Sequence, residues 1–225
     1  MPVALNEAAE RLGLHPASLR AMAARGAVSA EKVAGRWLMD NAEVRRLEAS
    51  HIAQGRPWSA RSVWALLEAA GGGQPAGLSR SELRRLHERL GQLAEISPGR
   101  LAGRAVVHHM HGHPRSLERL AADQRVVVSG VAAVAGRSPD LVSDDAASVY
   151  VPADLFDAVV TAHRLVPVPV SGANVEVRVP VGGWPFEGGV VLWPVAAADL
   201  LDRGDERSVR AARALFADAA IVGSQ

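Results

Sequence analysis

The chain has no cysteine in 225 residues, which excludes disulfides and thiolate metal sites. It is almost as poor in lysine, with Lys32 standing alone among 25 basic residues. Aromatic residues make up only 4% of the chain, so its cores must be built mainly from Val, Leu and Ala. No apolar run approaches the roughly 20 residues that a membrane-spanning helix needs. The first residues also lack the charged-then-apolar pattern of a secretory signal. These absences together lead to the expectation of a soluble, cytoplasmic protein. A net charge of one strong sign is missing too, because the formal total is only +1. That total conceals a split. Residues 1–120 hold 17 Lys/Arg against 11 Asp/Glu, or +6, while residues 121–225 hold 8 against 13, or −5. A basic front and an acidic rear suit a protein that meets a polyanion with one end only.

What is present supports packed domains, since 48% of the residues are hydrophobic. The front carries the clearest pattern. Asn6 is a suitable N-cap, and Ala8, Ala9 and Leu12 share one helical face. Gly13 supplies a stop, because it enters the left-handed region without steric cost. Pro16 opens a second helix, where its missing N–H would be unpaired in any case. Leu19, Met22 and Ala23 mark the buried face of that helix, and Gly26 ends it. The opposite face is small and cationic, with Ala17, Ser18 and Ala21 beside Arg20 and Arg25. Such a face can lie close against a major groove. Residues 28–39 read as a hairpin with Lys32 on its first arm, a turn at Gly35, Arg36 after the turn, and Trp37 as an anchor. Asp40 and Asn41 then cap a third helix carrying Val44 and Leu47.

The run Ala8-Ala9-Glu10-Arg11-Leu12-Gly13 followed by Gly35-Arg36-Trp37 resembles the helix-turn-helix of the excisionase and MerR-like families. The resemblance covers about the first fifty residues. It implies that the second helix enters the major groove while the wing contacts backbone phosphate or the minor groove. Carried over by position, it places Pro16, Ala17, Ser18, Arg20 and Ala21 near bases or phosphates, and Lys32, Arg36 and Trp37 in the wing. The long dimerisation helix and the cysteines of MerR-type sensors have no counterpart here, so metal sensing is not implied.

Beyond residue 57, Trp58-Ser59 opens an apolar helix with Val63, Leu66 and Leu67. A glycine-rich turn at 71–77 follows, and Ser79 or Ser81 then caps a basic helix. Leu83, Leu86 and Leu90 mark one side of that helix, and Arg80, Arg84, Arg85 and Arg89 lie mainly on the others. With the short helix from Pro98 and the extended stretch 105–108, residues 55–113 read as a helical connector or a second winged-helix-like unit. In the latter case Arg80, Arg84 and Arg85 would add phosphate contacts. From Arg115 onward helix and strand mix. Strands are expected at 125–129, 148–151, 175–179 and 190–193, an irregular edge at 166–170, and helices at 132–135, from Pro152, and at 206–220. Strict alternation over Val175-Glu176-Val177-Arg178-Val179 predicts one buried and one wet face.

Read in order, Val126-Val127-Val128-Ser129-Gly130, Tyr150-Val151-Pro152, Ala173-Asn174-Val175 and Ala198-Asp199-Leu200-Leu201 before Gly204-Asp205-Glu206-Arg207 resemble the C-terminal domain of AbiEi-type antitoxins and related bacterial regulators. The resemblance spans roughly 58–220. It implies a regulator that represses its own operon, which also encodes a nucleotidyltransferase-like toxin. An excisionase-like front end stands here in place of that family's own winged helix.

Three constellations point elsewhere. His108, His109, His111 and His113 are metal-ligand types, yet strand alternation would converge only His109, His111 and His113, with no carboxylate or cysteine at ligand spacing. The same loop could serve as a protein-contact surface. Ser129-Gly130 followed by Asp140, Asp144 and Asp145 distantly suggests a nucleotidyltransferase core, active or degenerate, but the Gly-Ser order is reversed and the paired acid is missing. Asp199, Asp202 and Asp205 do not have calcium-loop spacing, and Asp205 reads as a helix cap. The expectation is therefore an α+β chain in three parts: a winged helix-turn-helix at 1–54, the helical segment 55–113, and an α+β regulatory domain at 114–225. It is read as a non-enzymatic DNA-binding transcriptional regulator without cofactor or metal. Its expected partners are operator DNA, a second copy of itself, and a toxin or effector.

Overall fold

The computed structural model of the protein describes residues 2–24, 28–49, 57–138, 141 and 146–222. The chain is mixed α and β, with a mainly helical N-terminal region. Among the described residues no helix is long and apolar enough to cross a membrane.

The first strand, β1 (Pro2–Ala4), runs directly into α1 (Leu5–Arg11). Asn6 is therefore not the N-cap. Pairing of Pro2 with Asp40 and Ala4 with Leu38 holds the chain extended up to Ala4, which takes the cap position without a side-chain bond. Released from capping, Asn6 accepts a hydrogen bond from Arg20 Nη2 at 3.0 Å. Gly13 follows at φ +63°, and the Leu14 N–H closes on the Ala9 carbonyl at 2.9 Å. Next come α2 (Pro16–Ala24), β2 (Ala30–Val33), β3 (Arg36–Asp40) and α3 (Asn41–Ala49). The three strands form an antiparallel sheet in the order β1-β3-β2. Ala34 and Gly35, both at positive φ (47° and 79°), make the two-residue turn whose twist suits a tight hairpin. Leu5, Ala8, Ala9, Leu19, Met39, Val44 and Leu47 close one core among these elements. A bidentate pair from Arg11 to Glu48, at 2.9 and 3.0 Å, ties α1 to α3.

The remaining described residues build a second sheet with helices on both faces. In chain order they form α4 (Ala60–Ala70), α5 (Arg80–Leu90), α6 (Pro98–Leu101), β4 (Ala105–His111), α7 (Pro114–Ala121), β5 (Val127–Val128), α8 (Val131–Val134), β6 (Ala147–Tyr150), α9 (Phe156–Ala162), β7 (Val166–Pro167), β8 (Val175–Pro180), α10 (Trp193–Arg203) and α11 (Glu206–Val222). The sheet order is β5-β6-β8-β4-β7, and only β6 and β8 run parallel. Val149, Val175, Val177 and Met110 point to one face, where Leu120 of α7 and Val159 of α9 cover them. Tyr150 points to the other, into a core shared by α4, α5, α8, α10 and α11.

That second core changes the reading of the middle segment. Val63, Leu66, Leu67, Leu86 and Leu101 pack with Ala196, Ala197, Ala198, Leu200, Leu201, Ala212 and Phe216 in one cluster, and β4 pairs along β8. Residues 57–104 thus complete the rear core instead of closing one of their own. Three further expectations are corrected. Residues 190–192 are not a buried strand: Val190 and Leu192 are exposed, and Trp193-Pro194 starts α10, where proline is tolerated in the first turn. Arg178 is not on a wet face, because helices cover both sides of β8. The strand expected at 125–129 shortens to Val127–Val128, paired with β6.

Candidate nucleic-acid interface

The α2 face expected to meet DNA is open. Ala17, Ser18, Arg20, Ala21 and Ala24 are all exposed, while Leu19 and Ala23 are buried and Pro16 is half-buried. The exposed positions recur at helical spacing, so they form one surface made mostly of methyl groups and a hydroxyl. Arg20 borders that surface on its bond to Asn6. Arg25 and Gly26 lie outside the described residues.

The β2–β3 hairpin supplies the cations. Lys32 pairs across the ribbon with Trp37, and Val33 with Arg36. Paired residues share a face and neighbours alternate, so Lys32 and Arg36 stand on opposite faces of the hairpin. Lys32 is on the face of Trp37 and Met39, which packs toward α1 and α2. Both cations are exposed, and neither side chain has an acidic or hydrogen-bonding partner among the described residues. Trp37 is half-buried against the core, so its role is to anchor the hairpin. On α5, Arg80, Arg84 and Arg85 are exposed, and Arg84 Nε lies 3.7 Å from Glu88 Oε1 one turn away.

The histidines do not converge. His113 Nδ1 accepts from the Arg115 N–H as the cap of α7, His111 Nδ1 lies 3.3 Å from the Gly172 carbonyl, and the His108 ring packs on Phe156 at 4.4 Å between centroids. Among the described residues no three His, Asp or Glu side chains are placed to hold a metal. Ser129 is buried and donates to Asp199 Oδ2 at 2.5 Å, so its hydroxyl faces a carboxylate where a nucleotidyl-transfer site would need it to face a phosphate. Asp140, Asp144 and Asp145 lie outside the described residues.

A buried polar cluster among the described residues is one that sequence spacing does not reveal. Arg104 and Arg178, each 1% exposed, flank Asp199, also 1% exposed. Arg104 Nη2 donates to Asp199 Oδ1 at 2.6 Å and also to Asp202; its Nη1 donates to the Leu101 carbonyl at 2.9 Å. Arg178 donates to Asp202 Oδ2 at 3.0 Å and to Glu176 Oε2 at 2.6 Å, and the Tyr150 hydroxyl donates to Asp199 Oδ1 at 2.9 Å. Burial alone would raise the carboxyl of Asp199, but Arg178 and Arg104 outweigh it and hold the pKa below the ordinary value. For Tyr150 burial dominates and pushes the phenol well above its usual range. The sequence holds two faint signs of this cluster: Asp199 and Asp202 three apart, and an arginine set within a valine run. The cluster joins α10, β6, β8 and the turn after α6; Arg104, Arg178, Asp199 and Tyr150 are buried, while Asp202 and Glu176 are partly exposed. Comparison with known protein families, curated proteins and solved structures finds no match.

Proposed function

We propose that the protein is a sequence-specific DNA-binding regulator. Residues 1–54 act as a winged helix-turn-helix, with α2 in the major groove and the β2–β3 hairpin as the wing. The observation that carries this reading is the pairing of an open, small-residue face on α2 with a hairpin bearing two unneutralised cations on the same core. Small side chains let the helix backbone approach base edges, and the cations contact phosphate. In this reading Arg36 and Lys32 grip the backbone from opposite faces of the wing, and Ser18 reads a base edge. A single short helix reads few base pairs, so two copies bind a two-fold site. The acidic rear part then serves dimerisation or a partner protein, the operon's toxin in the AbiEi-like reading.

Fluorescence anisotropy with DNA from upstream of the protein's own gene tests this, against scrambled DNA at two salt concentrations. Tight, selective and salt-sensitive binding is expected of an autorepressor. Equal, weak binding to both duplexes would remove the assignment.

A further inference from the structure

A cleft of about 270 Å3 lies between the start of α4 and one side of α5. Arg61, Arg85 and Arg89 line it with Ser59, Ser62 and Glu82. Glu82 is the one acid in the wall, and its charge is already engaged. Its Oε2 accepts from the Ser79 N–H at 2.8 Å and the Ser79 hydroxyl at 2.7 Å, and its Oε1 faces Arg61 Nε at 3.7 Å. Arg85 makes no hydrogen bond or close ion pair among the described residues and feels Glu82 only through longer-range attraction. Arg89 stacks its guanidinium over Trp58 at 4.1 Å from the ring centroid, which fixes its position without neutralising it. Arg100 approaches the same ring at 5.9 Å. Burial, and then the like charges of Arg85 and Arg100, hold the Arg89 pKa below the ordinary arginine value. The fold thus brings together three cations around one wall carboxylate, Glu82, and places Arg85 and Arg89 close enough to repel each other.

We infer that this cleft binds a phosphate group, held by Arg85 and Arg89, with Arg61 and the Ser59 and Ser62 hydroxyls at its rim. Planar guanidinium groups match phosphate oxygens in bidentate fashion. The size agrees, because drug-sized ligands usually occupy about 300–1,000 Å3, and this smaller cleft suits one phosphate with little attached. The phosphate comes either from a DNA backbone or from a free phosphorylated small molecule. The inference stands apart from the role of α2, since it concerns a different surface and one arm of its test contains no DNA.

Two arms test it on the full chain. Thermal unfolding is followed with inorganic phosphate against chloride at equal ionic strength, for wild type, Arg85→Ala and Arg85→Lys. Arg85 is exposed and makes no hydrogen bond or close ion pair, so these variants keep the fold. Phosphate at about tenfold its dissociation constant should raise the wild-type midpoint by about 3–6 °C, with most of the rise lost in Arg85→Ala and part kept in Arg85→Lys. In the second arm, Arg85→Ala is titrated with scrambled duplex DNA over a salt series. A salt slope flattened by about one unit assigns the phosphate to DNA, and an unchanged slope beside a phosphate-dependent midpoint assigns it to a free ligand. No phosphate effect on the midpoint together with an unchanged DNA slope overturns the site.

Discussion

Asp199 is the residue on which the rear of the molecule turns. Two buried arginines face it, and a serine and a tyrosine hydroxyl occupy its oxygens. A buried pair gives little net stability over an apolar replacement, but removing one partner strands the other charge. Asp199→Asn should therefore lower unfolding stability by about 3–5 kcal/mol in urea titration. A loss under about 1 kcal/mol would show that Asp202 and Glu176 alone satisfy both arginines. The pH dependence follows from the same contacts. Asp199 has a depressed pKa, as does Asp123 under the hydrogen bonds of Arg125 and His163, so the folded state binds fewer protons than the unfolded one in acid. Their stabilisation is complete above the unfolded carboxylate pKa of about 3.9 and is lost as pH falls through the lower folded values. The midpoint should hold steady from neutrality to about pH 5 and drop below about pH 4. Tyr150 works at the other end: its raised pKa keeps stability intact below about pH 10 and removes it above. A midpoint that stays flat from pH 3 to 11 would contradict both.

At the scale of elements, the sequence was most legible where one local rule settles the structure. Gly13 ends the first turn region, Pro16 opens α2, Ser79 with Glu82 makes a reciprocal cap on α5, and Asp205 accepts from the Ser208 N–H at the start of α11. It was least legible where distant partners decide. Asn6 looks like a cap until β3 is seen to hold the strand before it, and Arg178 looks wet until α10 is seen above it. Residues 190–193 have strand composition, yet Pro194 sets a helix start. The open face of α2 and the Lys32–Arg36 hairpin were readable from residue size and charge alone, whereas the Arg61–Arg85–Arg89 cleft needed α4 and α5 side by side. Two expectations belong to the hairpin. Ala34 holds φ +47°, which costs an alanine but not a glycine, so Ala34→Gly should stabilise the chain by about 0.5–1 kcal/mol; a loss of stability would show that the turn depends on the methyl group. Arg36→Ala should weaken binding to every duplex alike and flatten the salt slope by about one unit; an unchanged slope would remove Arg36 from the interface.

For the whole molecule, the two sheets carry separate cores, and the helices between them belong to the second. Arg104 makes the dependence concrete, because it leaves the turn after α6 to pair with Asp199 and Asp202 of α10. A fragment 105–225 should be unfolded by circular dichroism, since it lacks Val63, Leu66, Leu67 and Leu101 from its core as well as Arg104. A cooperative unfolding transition in that fragment would contradict the shared core. The charge split does not follow this division: residues 1–54 hold 7 Lys/Arg against 6 Asp/Glu, and most of the basic excess of the first 120 residues lies in the segment that completes the second core.

The central claim is that the exposed face of α2 reads DNA. The most direct measurement is the affinity of Ala21→Glu for duplex DNA from upstream of the gene, compared with wild type at the same salt. Ala21 is exposed and unpaired, so the substitution leaves the core alone while placing a carboxylate on the surface expected to face bases. A loss of tenfold or more, about 1.4 kcal/mol, with an unchanged thermal midpoint is the predicted result. Wild-type affinity in Ala21→Glu would contradict the account.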